Sequence, residues 1–575
     1  MAWTNEDVAR QFAEIATLLK LSGADAFRVR AYERAAGAIG AAAADLSALD
    51  EAGMSQLKGI GTSTAKKISE YLQTGSIAML DELRAGVPAG LIALTRIPGL
   101  GPKTARLLYD ELGVDSVQAL RTAIDEERLR GLPGLGPKTE VNLREALSRL
   151  GDKDTGRRPM ADAIAIAEEL CLRLARLPQV RQVTFAGSLR RLRETVGDVD
   201  VLAASDDPGP VHAAFRDSDL VTEVLAAGDK KTTVITRVGL QADLRVVEPD
   251  AWGAALVYFT GSKAHNVRVR ERAVRRGLTL NEYGLFDPES GERRASRDEA
   301  EVYAAMGMAL VPPPMREDAG EVEAAADGTL PRTVELAHVR GDLHGHSDWS
   351  GDGKATLEQM VAAAAERGYA YWAVTDHAED LPMNGLSRER MLERRGAIAA
   401  LQERYEMRIL EGAELNIDAD GGVDYDPDFL ASFDWCVASV HTLMNRSGRE
   451  QTARIVAAMQ HPQVHAIGHL TGRIIGRRPP YDIDLDTILE AALRTQTALE
   501  INASPRRLDL SGEMVRRAVD AGVTLTISCD AHSVGDLASM RYGVATAQRG
   551  WATADRVLNC GDLDRILSFT QAKRT

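Results

Sequence analysis

Apolar and polar positions follow different rhythms in successive stretches of the 575-residue chain. Near the start, Asn5–Leu19 and Ala26–Ile39 carry apolar residues at helical spacing and predict two amphipathic helices, the first with Thr4 as its N-cap. Three Gly-x-Gly segments follow, within Leu57–Gly61, Ile97–Gly101 and Leu132–Gly136. Each has an apolar residue before the first glycine and another between the two. Each then runs through Thr or Pro-Lys-Thr, in the second copy into the amphipathic stretch Thr104–Leu112. This is an internal repeat of helix-hairpin-helix type. Gly59, Gly61, Gly99, Gly101, Gly134 and Gly136 permit tight turns whose N–H groups, at a helix N-terminus, can hold a backbone phosphate oxygen. Such contacts position a duplex without reading its sequence. One copy could be a plain helical hairpin. Three copies beside Lys66, Lys67, Lys103 and Lys138 favour DNA binding.

A second rhythm appears in the middle. The apolar run Val183–Ala186 leads into Gly187-Ser188, a basic turn follows, and Asp198-Val199-Asp200 opens the apolar run Val201–Ala204. If that run is a strand, period-two alternation puts both carboxylates on one face, roughly 7 Å apart along the chain. Paired carboxylates at a strand start suit a hard divalent ion such as Mg²⁺, and a Gly-Ser turn offers N–H groups and a hydroxyl to phosphate.

From His338 onward, seven apolar strand candidates each end in a metal-ligating type of residue: Asp342–His346, Tyr371–His377, Ile409–Glu414, Trp435–His441, Val464–His469, Ala498–Asn502 and Thr524–His532. Helix-like stretches such as Leu357–Arg367, Arg388–Tyr405 and Met514–Ala521 lie between them. Alternating strands and helices argue for a β/α barrel with its site at the C-terminal strand ends. One histidine there would be structural; His or carboxylate at nearly every strand end points to metal. Between the two regions, Val311–Pro314 and the acidic, Ala-rich Glu317–Leu330 read as a linker over residues 311–337.

Charge sharpens this division. The net charge is −15, but residues 1–150 hold 18 Lys+Arg against 19 Asp+Glu and residues 151–310 hold 23 against 25, so most of the excess lies beyond residue 310. Local basic faces in the first half can still bind phosphate. The opening MAWTNEDVARQF is no signal peptide, and the longest small-apolar stretch, Ala35–Ala44, is too short to span a membrane. Cys171, Cys436, Cys529 and Cys560 form no CxxC pair and fit reduced thiols in a cytoplasm.

From about Ala26 to Leu310 the chain resembles the family X DNA polymerases, the group that contains DNA polymerase beta. The resemblance rests on Gly187, Ser188, Arg191, Gly197, Asp198 and Asp200, on Asp243 within Ala242–Val247, and on Tyr258-Phe259-Thr260-Gly261-Ser262 with Asn266 and Arg270. Lys263-Ala264-His265 is similar to the bacterial branch. The resemblance implies that Asp198, Asp200 and Asp243 hold Mg²⁺ or Mn²⁺ for nucleotidyl transfer. Gly187, Ser188, Arg191, Gly197, Tyr258, Phe259, Gly261, Lys263 and Asn266 would bind the nucleotide, and Arg270 the template strand. It further implies a lyase role for Lys67, with Arg28 and Tyr32 at neighbouring phosphate-binding positions; Arg28 replaces a lysine of the family pattern.

Residues 338–570 resemble the PHP (polymerase and histidinol phosphatase) phosphoesterases through His344, His346, Asp352, His377, Glu414, His441, His469, Asp530 and His532. That family implies three Zn²⁺ or Mn²⁺ ions. His344, His346, Glu414 and Asp530 would hold the first, Asp352, His377 and His532 the second, and Glu414, His441 and His469 the third. Arg473 and Arg506 follow strand ends and are candidates for substrate phosphate.

The expected architecture is multidomain: an α-helical helix-hairpin-helix region over 1–88 and 89–155, an α+β nucleotidyltransferase palm (156–250) and thumb (251–310), the linker, and a distorted (β/α)7 PHP barrel over 338–575. The expected function is a bacterial, cytoplasmic, monomeric DNA polymerase that fills short gaps in repair, with 3′→5′ exonuclease or 3′-end processing in the PHP region. Its partners are gapped or nicked double-stranded DNA and dNTPs, with no membrane. A phosphoesterase with a vestigial polymerase core and a DNA-binding repair scaffold stand as alternatives.

Overall fold

The computed structural model describes residues 5–22, 24–40, 46, 49–56, 60–86, 91, 94, 100–126, 128–132, 135, 143, 157–228, 230–381 and 384–574. The chain forms two compact units, residues 1–156 and 157–575.

In the first unit the elements among the described residues are helices, beginning with Asn5–Leu21 and Ala26–Gly40. Val8, Phe12, Ile15 and Leu19 fall on one helical stripe and are fully buried, which is why this stretch folds as an amphipathic helix. Ile60, Leu100 and Leu135, the middle residues of the three Gly-x-Gly segments, are all buried. Each segment therefore drops its apolar residue into the core. Gly61 and Gly101 cap the helices Thr62–Thr74 and Pro102–Leu112 in extended conformation, with open space beside each Cα. Thr4, Gly59, Gly99, Gly134, Gly136 and Lys138 lie outside the described residues.

The second unit begins with a five-stranded sheet: β1 (Gln182–Phe185), β2 (Val199–Ala204), β3 (Val221–Ala227), β4 (Lys231–Thr236) and β5 (Gln241–Val247), in the order β1-β2-β5-β4-β3. Only β2 and β5 pair in parallel. Both faces are covered, so β2 reads as a continuous apolar run. Val201 and Ala203 pack with helices Met160–Ala175 and Pro208–Arg216, while Leu202 and Ala204 pack against Trp252, Ala255 and Leu256.

Beyond it stand the helices Trp252–Thr260, Lys263–Arg275 and Glu299–Ala305 and a small antiparallel sheet of β6 (Thr279–Asn281), β7 (Gly284–Phe286) and β8 (Arg293–Ala295). Their core takes in Val311, Met315, Val322 and Ala325. The segment 311–337, expected to be a linker, is thus folded. Its prolines shape a 3₁₀ turn at Pro313–Met315, and Glu321–Asp327 is a helix. The acidic composition had a buried use: Glu321 accepts from His265 Nδ1 at 2.6 Å, and His265 Nε2 meets the Tyr303 hydroxyl at 2.7 Å. Arg316, fully buried, donates to Glu299.

Seven parallel strands follow in sequential order: β9 (Gly341–Asp342), β10 (Tyr371–Val374), β11 (Arg408–Asn416), β12 (Trp435–Ser439), β13 (Ala466–Ile467), β14 (Ala498–Asn502) and β15 (Leu525–Ser528). The first and last edges meet just past β9 and β15, where Asp530 N–H donates to the His344 carbonyl and His346 N–H to that of Ala531. Leu343, Tyr371, Leu410, Trp435 and Val437 belong to one buried cluster, and the helices cover a larger one.

The barrel is fused to the five-stranded sheet. Leu508 and Tyr542, from the barrel half, belong to the sheet's own core. Arg473 forms a two-pronged ion pair with Glu194, at 2.8 and 3.2 Å. Arg549 donates to the carbonyls of Arg191 and Leu192; burial, with Arg193 nearby, pushes its pKa down to about 10.

Candidate active sites

The turn from β1 to β2 builds the first site. Asp200 and Asp243 sit opposite one another on the parallel pair β2–β5, so their side chains share a face, and Asp198 joins from just before β2. Ligand atoms of the three lie within 4.8 Å of one another. Gly187 is required here: its φ is +60°, and a Cβ would come 2.3 Å from Asp200 Oδ2. Burial, and then the charges of Asp198 and Asp243, push the Asp200 carboxyl up to about 7; burial and Asp243 raise Asp198. Like charges gathered this way call for a cation. Lys231 partly answers, at 2.7 Å from Asp243 Oδ2. It reaches there from β4 by antiparallel pairing, a contact absent from the sequence reading, and Arg245, the nearer partner in sequence, lies instead over the Phe259 ring at 4.7 Å.

Gly187–Arg190 forms a short helix that begins at the phosphate-type turn. Ser188 is half-buried there. Arg191, expected at a triphosphate, donates to Glu317 Oε1 at 2.9 Å and to the Thr260 carbonyl at 2.6 Å. Gly261, at φ +67°, keeps Arg191 close: a Cβ there would lie 3.2 Å from Arg191 Nη1. Gly197 lies beside Arg157, and Tyr258 is exposed, edge-on to Phe259. Asn266 Nδ2 donates to the Tyr258 carbonyl, while Lys263 and Arg270 are exposed on the same helix.

The second site lies at the carboxyl ends of the barrel strands. Glu414, within β11 and fully buried, is its hub. Its Oε1 lies 3.0 Å from His469 Nε2 and 3.2 Å from His441 Nε2. Its Oε2 lies 2.9 Å from His377 Nδ1, 3.4 Å from His344 Nε2 and 3.5 Å from His346 Nε2. Asp530 Oδ1 is 3.2 Å from His346 Nε2, and Asp352 Oδ2 is 3.2 and 3.3 Å from His377 and His532. The ligand-type atoms gather into three groups: His344, His346, Glu414 and Asp530; His346, Asp352, His377 and His532; and His377, Glu414 and His441.

These groups fit resident metal ions. His344 Nε2, both ring nitrogens of His346, Asp352 Oδ1, Glu414 Oε2, His441 Nδ1 and His469 Nδ1 are buried without a hydrogen-bond partner among the described residues. Buried polar atoms left that way are costly unless something else binds them. Mixed imidazole and carboxylate donors suit Zn²⁺ or Mn²⁺. Burial alone would lower the His344 pKa, but Glu500, Glu414 and Asp530 hold it well above the usual range. His346, buried and facing His532 and His377, is pushed down to about 4.

Several residues of this site were not anticipated. Glu500, on β14, accepts from His344 Nδ1 at 2.7 Å and from the His469 backbone N–H, orienting two ligands at once. Asn502 donates to Asp530 Oδ2 at 3.1 Å. Arg473 is occupied by Glu194 and Arg506 is exposed, whereas the next residue, Arg507, reaches Asp530 Oδ2 at 3.4 Å. In the first unit, Arg28 and Tyr32 both approach Met79 Sδ, while Lys67 Nζ contacts Ser63.

Comparison with known proteins decides the family. Residues 3–77 match the helix-hairpin-helix domain profile, 91–149 the SAM-like helix-hairpin-helix tandem, 255–317 the DNA polymerase beta thumb and 342–504 the PHP domain. The chain is 39% identical to the DNA polymerase/3′-5′ exonuclease PolX of Bacillus subtilis over 568 residues, 98% of this chain and 99% of that protein. The chain is a family X DNA polymerase with a C-terminal PHP domain. Its polymerase half is 26% identical to DNA polymerase lambda of Rattus norvegicus over 279 residues, 45% of this chain and 46% of that one. Its PHP half is 28% identical to a probable phosphatase of Caldicellulosiruptor bescii over 204 residues, 34% of this chain and 81% of that one. The thumb match extends past residue 310, in keeping with the core residues Val311 and Met315. All four cysteines of this family X member are free thiols, and no helix among the described residues is long and apolar enough to cross a membrane.

Proposed function

We propose that the protein fills short gaps in double-stranded DNA from dNTPs at the Asp198–Asp200–Asp243 centre and hydrolyses 3′-terminal phosphodiesters at the PHP cluster. The observation that carries this reading is that both clusters keep a full donor set in one chain that matches the Bacillus protein end to end. Divalent ions, Mg²⁺ or Mn²⁺ in the palm and Zn²⁺ or Mn²⁺ in the barrel, would supply Lewis acidity and an activated nucleophile when bound. Asp198 and Asp200 would hold the nucleotide's ion, and Asp243 would share the second with the primer end. Gly187 and Ser188 offer the triphosphate a turn, and Arg191 grips it once released from Glu317. In the barrel, Glu414, Asp530 and Asp352 would hold the ions together with the histidines, and Glu500 orients His344. The hairpins at Gly61 and Gly101, with Arg270, would hold the duplex.

The test is one gapped, 5′-radiolabelled duplex incubated with and without dNTPs across Mg²⁺, Mn²⁺ and Zn²⁺. Extension with dNTPs and shortening without them are expected. A wild type that never extends the primer contradicts the polymerase half, and one that never shortens it contradicts the nuclease half. Lys67 is proposed as a 5′-deoxyribose phosphate lyase residue, acting as a Schiff-base amine. Borohydride trapping on an abasic 5′-phosphate end should give an adduct that Lys67→Ala lacks; an equal adduct in both rejects the role.

A further inference from the structure

We propose that Arg507 is the substrate-phosphate ligand of the PHP centre: its guanidinium, fixed beside Asp530, binds a non-bridging oxygen of the scissile phosphodiester. This rests on the hydrolytic reading above and adds a residue to it.

Asp530 divides its oxygens. Oδ1 faces His346, while Oδ2 takes Asn502 Nδ2 at 3.1 Å and Arg507 Nε at 3.4 Å. Among the described residues, Arg507 is the one Lys or Arg in ion contact with a candidate ligand of the barrel cluster. A guanidinium has five N–H donors in a planar fork. Here Nε faces Asp530, and Nη1 is buried with no hydrogen-bond partner. Orienting Asp530 needs neither Nη group, and Asn502 already serves that oxygen. A buried donor without an acceptor, at the edge of a cluster built for phosphate chemistry, is accounted for by an acceptor that arrives with the substrate.

The loop that carries Arg507 is held rigid on several sides, as a preorganised anion ligand requires. Arg473 donates from Nε to the Arg507 carbonyl at 2.8 Å and also to the Leu508 carbonyl, while its far end pairs with Glu194 of the palm. Leu508 adopts a left-handed φ of +46° and is buried in the palm core. Asp509 accepts from both the N–H and the hydroxyl of Thr471 at 2.9 Å, two residues past His469. The palm thereby buttresses the loop on which the nuclease's phosphate-binding arginine sits.

The experiment compares the Mn²⁺-loaded full chain with Arg507→Ala and Arg507→Lys. Inorganic phosphate binding is measured by calorimetry, bound manganese by elemental analysis, and hydrolysis with the p-nitrophenyl ester of thymidine 5′-monophosphate. Losing a charge-assisted hydrogen bond should weaken phosphate binding at least about tenfold in Arg507→Ala. Bound manganese and primer extension should be unchanged, and Arg507→Lys or added guanidinium should restore part of the loss. Unchanged phosphate affinity overturns the proposal, as does a loss of bound manganese that accounts for the weaker binding, since Arg507 would then serve only Asp530. If Arg507→Ala fails to fold, Arg507→Lys carries the same comparison. A wild type that binds phosphate but hydrolyses nothing would reject the hydrolytic reading and leave the Arg507 assignment to the phosphate titration.

Discussion

The palm and the barrel solve metal binding in opposite ways. The palm offers three carboxylates, two of them only partly buried, with one lysine, Lys231, as the paired cation. Burial, and then the charges of Asp198 and Asp243, lift Asp200 to about 7, so the site favours a hard ion. The barrel offers imidazoles interleaved with carboxylates, most of them buried, and Glu414 alone touches five histidines. The two donor sets differ in kind: the palm offers oxygen ligands alone, and the barrel mixes imidazole with carboxylate.

The largest effect should fall on the hub, Glu414. Glu414→Ala should lower hydrolysis by about three orders of magnitude or more, because several buried imidazoles lose their shared partner. Bound metal should fall with it while primer extension holds; elemental analysis and the gapped duplex read both. A smaller loss is expected one layer out. Glu500→Gln leaves every ligand in place but weakens the orientation of His344 and His469, costing about 10–100-fold in metal affinity or hydrolysis.

Proton competition should mark the palm. Asp200, with its carboxyl raised to about 7, is mostly protonated below that pH and must release a proton to bind an ion. Mg²⁺ affinity there should fall toward tenfold per pH unit below pH 7. The sign for stability is the reverse of a salt-bridged aspartate: without metal, the folded carboxyl keeps its proton up to about pH 7 while the unfolded one releases it near its ordinary value, so stability falls as pH rises between those two values and the loss is complete above pH 7. A Mg²⁺ titration followed by primer extension from pH 5.5 to 8 checks the first statement, and metal-free thermal melts check the second. The smallest effect concerns Glu317. Glu317→Gln removes the charge that holds Arg191 and should lower KM for dNTP by about three- to tenfold, the worth of one partly buried ion pair. A raised KM would mean that Glu317 positions Arg191 for the nucleotide.

Much of both sites was legible because their signals are local. Asp198 and Asp200 open an apolar run whose period-two pattern sets their face, and seven apolar runs ending in His or carboxylate announce a barrel. What stayed hidden depends on distant pairing. Glu500 sits 156 residues from His344 and reads in sequence as the polar interruption of a buried strand. Lys231 reaches Asp243 only through the register of β4 on β5. Glu194 and Arg473 are 279 residues apart, so an arginine marked as a phosphate candidate proved to be a fastener of two domains. The segment 311–337 looked like a linker from its prolines and charge. Burial of Glu321 against His265 could not be inferred from composition.

A single time course on the gapped, radiolabelled duplex with the wild type, Asp198→Ala/Asp200→Ala and His344→Ala asks whether two separate centres act in one chain. The palm variant should shorten the primer at the wild-type rate and never extend it, and the barrel variant should extend it and never shorten it. Loss of both activities in either variant, with the protein folded, would mean that the two activities share one centre.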